Sequence, residues 1–339
     1  MERRKPRVVA ILKHDDRGHP FGFPSFLYYD PHQDEFYIVA SSQARVIIYT
    51  PDFFPFFSFG EGRGCLVPTA LTVDKDGTLF LAQGTGANNP DHAMITIFNA
   101  ADIKVKDLFF SGFEGADHFY PKSIALGRTG RLYLAGLECE GALVLSKKGK
   151  FLHFLSPKDT FLPDEPPKKA VITDVYVDWS GRIYLLSEEM GRFYVYDQKE
   201  RFLFKGGNKG GSSGKLSRPR GIAADPKRGV IYVIDYMRHT GLAYDYNDGH
   251  FVFEFGGRGW NPGWFNFPTD IAVDPRGRLY VADLFNHRVQ VLEITEEIES
   301  IVTPKGGNSL NRGDKGNTTS VPAERSIRRR KRFHGDHGN

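Results

Sequence analysis

Short apolar runs of about four to six residues, broken by Asp, Pro, Asn and Gly, recur along this chain, and no stretch carries the 3.6-residue period of an amphipathic helix. The pattern is plainest near its end. Asp270 to Val273 leads into Asp274-Pro-Arg-Gly277, a turn in which Gly277 takes a positive φ at little cost. A β-rich run follows over Arg278 to Ala282, then a polar loop, then a third run over Val289 to Leu292. One unit earlier, alternation around Tyr244 and Tyr246 meets Asn247-Asp248-Gly249, a strong hairpin signal. Phe251-Val-Phe-Glu-Phe255 then supplies a fourth run, ending in Gly256-Gly257. Each unit predicts four short antiparallel strands.

The unit recurs six times. Pro268-Thr-Asp-Ile-Ala-Val-Asp274 through Val281-Ala-Asp283 follows Pro219-Arg-Gly-Ile-Ala-Ala-Asp225 through Val233-Ile-Asp235, with weaker copies around Ile124, Leu71 and Val175 and a degraded one from Pro24. Aligned on Pro24, Pro68, Pro121, Ile172, Pro219 and Pro268, the intervals are 44, 53, 51, 47 and 49 residues. Those spans hold four strands and their turns, not a βαβ unit with a long crossover helix. Repeats of this kind bury their core only against their neighbours. The expected fold is therefore all-β, a six-bladed β-propeller of four-stranded antiparallel blades over residues 5–295. The last unit lacks its fourth strand, because after Leu292 the chain turns to Glu-Ile-Thr-Glu-Glu. Arg7-Val-Val-Ala-Ile-Leu12 is the expected replacement, a strand from the N-terminus that closes the ring and removes exposed edges.

The pattern Pro-x-x-Ile-Ala-Val-Asp-x-x-Gly-x-Leu-Tyr-Val-Ala-Asp-x-x-Asn-His-Arg-Val-Gln-Val resembles the NHL repeat. Residues 268–292 follow it almost throughout, 219–256 well and the other four copies in part, so the resemblance covers roughly residues 5–293. It implies a six-bladed propeller. The Gly-His and Trp-Asp pairs of WD40 blades do not recur.

Composition adds two points. The 339 residues, 40% hydrophobic with 28 Phe and 15 Tyr, supply core for one large domain, and no apolar run approaches a membrane-spanning length. The net charge of +4 conceals an asymmetry: from Pro304 onward nine Lys and Arg face three acids, which leaves the rest of the chain at about −2. The segment 300–339 is expected to be a disordered basic tail. Its run Arg328, Arg329, Arg330, Lys331 and Arg332 offers contacts to nucleic acid or another acidic surface. Val8 to Leu12 is too short for a signal-peptide core, so a cytoplasmic monomer is expected unless the true start lies upstream. Cys65 and Cys139 are expected as ordinary thiols, with a bridge between them left open.

In a four-stranded meander, the loops between second and third strands emerge on the same face as the connections between blades. Here that face carries the length and chemical variety, so a site is expected there. Asp235 and Asp283 share one repeat position, His239 and His287 another, and Arg45, Arg192 and Arg288 a third. These are expected to bind loops and brace blades. The resemblance also raises enzymes: peptidyl-hydroxyglycine lyases of the NHL type hold zinc through histidines on the innermost strands. The residues after the Pro position here are Ser25, Thr69, Lys122, Thr173, Arg220 and Thr269, none a zinc-type ligand. Glu138, Glu140, Glu188, Asp174, Asp235 and Asp270 are possible oxygen donors for a calcium-type site, but no spacing singles out a set. The Gly-rich stretch 206–214 lacks the order of a phosphate-binding loop.

No catalytic or metal-ligating residue and no cofactor is therefore assigned. The expected function is a binding or scaffold module that docks a protein or peptide on its long-loop face. The alternatives are a metal-dependent lyase or hydrolase at the channel mouth, and RNA binding through the tail or loop face. The expected contact residues are Trp260, Trp264, Tyr236, Arg238 and Phe285, with Arg220 at the channel. Neither tryptophan is required by the repeat, whereas Phe265 is expected to pack inward.

Overall fold

The computed structural model describes residues 5–294, except Asn88, Pro90, Asp91, Glu138, Leu162 and Pro163. The expected tail from residue 300, with Arg328 to Arg332, lies outside the described residues. Six four-stranded antiparallel sheets form the blades. Their first strands open at Phe26, Pro68, Pro121, Asp174, Pro219 and Pro268. Each first strand contacts those of its two neighbours, and the sixth returns to the first, so the ring is closed.

Closure uses the N-terminus. Pro6–Leu12 pairs antiparallel with Arg288–Ile294, with Val8 opposite Leu292 and Leu12 opposite Val289. Blade 6 is thus completed by a strand from the other end of the chain, and Leu12 is buried there against blade 1.

The core is six cores, one in each seam between blades. Alternation sends successive side chains of a strand to opposite seams. In blade 3, Leu132 and Leu134 pack with blade 2, while Tyr133 and Ala135 pack with blade 4. Because both faces of a blade are covered, its inner strands read as unbroken apolar runs. Each large side chain buried this way stabilises by about 1.5–3 kcal/mol.

The repeated proline has a local cause. In blades 2, 3, 5 and 6, the pairing of first and second strands shifts register just after Pro68, Pro121, Pro219 and Pro268. A residue without an N–H fits the end of a ladder, and the bulge leaves the next residue unpaired and re-aims its side chain. Thr69, Lys122, Arg220 and Thr269 occupy that released position.

One feature was invisible in the sequence pattern: the connection from blade 3 to blade 4 carries its own small hairpin, Lys158–Asp159 with Lys168–Lys169. Cys65 is buried, Cys139 half-buried, and both are free thiols. Among the described residues, no helix is long and apolar enough to cross a membrane.

Candidate functional site

The long-loop face is built by one device used repeatedly. An acceptor at the end of the second strand takes backbone N–H groups from the connection between blades. Asp283 Oδ1 accepts from Asn266 N at 2.6 Å, Asp235 Oδ2 from Ser217 N at 2.6 Å, and Gln83 Oε1 from Leu66 N at 2.6 Å. The loop then closes through a left-handed residue: Ala44, Gly191, His239 and His287 have φ of 48°, 58°, 55° and 49°. Next comes the arginine position. Arg45 pairs with Asp15 at 2.6 Å, Arg192 with Asp159 at 2.7 Å, and Arg288 with Asp283 at 2.7 Å, each tying a loop to a connection or to its anchor. The expected bracing role of these arginines is what the geometry provides.

Blade 5 has Thr240 at that position, and Arg238 takes over the task. Its guanidinium donates to Lys215 O at 2.8 Å and to Glu254 at 2.7 Å, with only 12% of the side chain exposed. Of the six residues expected to make contacts, Arg238 is therefore committed to holding the loop. His239 is also inward, accepting from Phe267 N at 3.0 Å through Nδ1, and burial lowers its pKa.

A chain of aromatic rings crosses this face from blade 5 to blade 1. Tyr236 and His239 lie 4.7 and 4.4 Å from Phe267, which meets Phe285 at 5.4 Å, and Phe285 meets Phe23 at 5.8 Å. Phe23 and Phe285 are 37% and 44% exposed, and Met237, beside Tyr236, is 46% exposed. The two tryptophans stand on the adjoining connection, Trp260 76% and Trp264 45% exposed. The Trp264 ring covers Gly257, where an added Cβ would meet it at 2.7 Å, while its carbonyl accepts from Arg288 and Gln290. Phe265 is fully buried against Phe255, as expected. Phe23 and Phe267 were not singled out by sequence, because neither stands at a position whose residue recurs throughout the other copies of the repeat.

At the inner end of this chain, Arg220 lies over the Tyr236 ring, 5.3 Å from its centre, and its Nε is 3.1 Å from Glu188. Together with Lys122, Leu137, Val171, Thr173 and Arg218 it lines a cavity of about 360 Å³ at the channel mouth. Thr69, Thr173 and Thr269, at the same repeat position, donate their hydroxyls to backbone carbonyls at 3.1–3.2 Å.

Deeper in the channel, Asp174 and Asp270 line a small cavity of about 70 Å³. Each joins neighbouring blades: Asp174 accepts from Ile222 N at 2.9 Å and Asp270 from Leu27 N at 2.7 Å. Gly221 makes room for this, since a Cβ there would lie 2.4 Å from an Asp270 oxygen. Burial raises the pKa of both carboxyls, and the charge of Asp174 raises that of Asp270 further. Of the other oxygen donors considered, Asp235 is occupied by backbone N–H groups and Glu188 pairs with Arg218 and Arg220. Among the described residues, Asp245, Asp248 and His250 bring metal-type ligand atoms within 4.8 Å of one another, on the hairpin between the third and fourth strands of blade 5.

The clearest copy of the repeat ends this face, and residues 265–292 match the family model for the NHL repeat. Blade 6 carries an NHL repeat. Its Asp283, His287 and Arg288 are the loop-binding residues described above, and its Asn286 donates to Gly259 O at 3.0 Å and to Asp283 at 2.7 Å. The chain matches no curated protein. Among solved structures it is similar to an auxiliary nutrient binding protein from Bacteroides ovatus, at 16% identity and TM-score 0.62, covering 87% of this chain and 78% of that one. A protein of unknown function from Bacteroides thetaiotaomicron aligns at 13% identity and TM-score 0.59 over 86% and 72%. A streptogramin B lyase aligns at 10% identity and TM-score 0.55 over 84% and 98%. At such identities the likeness establishes the fold alone.

Proposed function

We propose that this NHL-bearing propeller is a non-catalytic binding module that docks an extended peptide segment of a protein partner on its long-loop face. The observation that carries this reading is the unbroken run of rings from Tyr236 through Phe267 and Phe285 to Phe23, flanked by exposed Trp260, Trp264 and Met237. Large rings held by their neighbours bring contact area at low entropic cost, and such residues dominate binding energy at interfaces. Phe23, Phe285, Trp260, Trp264 and Met237 stay exposed although the fold already buries six separate cores, so their open area is surplus to those cores. The solved neighbour named for nutrient binding is compatible with a binding role, and the lyase neighbour marks the competing one.

Panning a random peptide library against the immobilised chain tests the proposal. Peptides rich in apolar side chains should be selected, and Trp260→Ala with Phe285→Ala should weaken them by about 2 kcal/mol or more. Selected peptides that bind the double variant as tightly as the parent would refute it, as would a library yielding no binder.

A further inference from the structure

The residue after the Pro position of the repeat meets two different fates in blades 2 to 6. Where it is threonine, its hydroxyl is spent on a carbonyl; where it is Lys122 or Arg220, the cationic donors are not. Among the described residues, the Lys122 ammonium has no hydrogen-bond or ion-pair partner, although the side chain is half-buried. Arg220 meets Glu188 as a charge at 3.1 Å, but its Nε–H has no acceptor in line. Glu188 is already shared with Arg218, which takes it at 2.7 Å, and Lys209 bonds only the Glu188 carbonyl. Among the described residues around one cavity, Lys122, Lys209, Arg218 and Arg220 thus face two carboxylates, Glu188 and Glu189. Glu189 is further engaged by Lys168 at 2.5 Å.

Cations held together at the edge of a channel repel: burial lowers the Lys122 pKa, the Arg220 and Arg218 charges lower it further, and Glu188 offsets them only in part. An anion seated among them would relieve both. The cavity is large for a bare inorganic ion, within the range that holds small organic ligands, and one wall is apolar, formed by Leu137 and Val171. We propose that the channel mouth between blades 3 and 5 binds a small organic acid bearing two carboxylates, gripped by Lys122 and Arg220 with its carbon chain against Leu137. This site does not depend on peptide docking along the aromatic rings.

Calorimetric titration of the full chain with succinate, acetate and inorganic phosphate at constant ionic strength tests it. Succinate should bind at least about tenfold more tightly than acetate or phosphate. Lys122→Gln should weaken succinate about tenfold while leaving the ligand-free melting temperature unchanged, and Lys122→Arg should restore most of the affinity. Phe285→Ala should have no effect, so failure of the peptide reading would leave this result standing. Absence of succinate binding, equal affinity for phosphate, or undiminished binding by Lys122→Gln would each overturn the proposal.

Discussion

Trp260 and Phe265 are five residues apart on one connection and are placed oppositely, one 76% exposed and the other fully buried. Trp260→Ala should therefore leave stability within about 0.5 kcal/mol, whereas Phe265→Ala should cost about 3–5 kcal/mol in urea denaturation. Asp283→Ala should be as damaging as the latter, because it strands Arg288, whose side chain is only 7% exposed, without its carboxylate. A third residue-level prediction concerns pH. Asp174 and Asp270 have folded pKa values above the ordinary carboxylate value of about 4, so the folded ring binds more protons than the unfolded chain just above that pH. Their stabilising contribution is complete below about pH 4 and is lost as pH rises through the raised folded values. Asp174→Asn should flatten that loss, read as a smaller difference in melting temperature between acid and neutral pH than the parent shows. An identical pH profile would contradict it. Sequence made the roles of Asp283 and Arg288 legible because they recur at fixed repeat positions. It did not reveal Lys122 as a charged group without an ion-pair partner among the described residues, since that depends on which side chains three separate blades bring to one cavity.

At the scale of elements, the clasp is the part most exposed to test. Pro6–Leu12 contributes a whole outer strand and buries Leu12 between blades 6 and 1. Deleting residues 1 to 13 should lower the melting temperature and expose the Arg288–Ile294 edge to association. A truncated chain melting with the full one would show that the strand adds nothing. This strand was readable in advance because the sixth unit stopped after three apolar runs while an orphan run stood at the start. The small hairpin Lys158–Asp159 with Lys168–Lys169 was not readable, having no hydrophobic alternation at all. Its value lies in one side chain: Asp159 receives Arg192, Lys205 and Tyr194 at 2.7–3.0 Å and is held below the usual carboxylate range, at about 2.

For the whole molecule, ring closure within residues 6–294 means that the fold should not need the basic segment beyond it. Removing residues from 300 onward is expected to leave the melting temperature unchanged. The ring and its six blades followed from the repeat; the run of rings proposed for docking followed less well. Arg238 resembled a surface anchor and is a brace, while Phe23 and Phe267, which complete the run of rings, precede the first strands of their blades at positions whose residue varies from copy to copy. Hydrogen exchange of the full chain, with and without a library-selected peptide, tests the central claim most directly. Protection should concentrate in the connections around Phe23 and Trp260 to Phe267 and in the loops at Tyr236 and Phe285. Protection confined to the opposite turns, at Asp178 to Gly181 and Asp274 to Gly277, would contradict docking on the long-loop face.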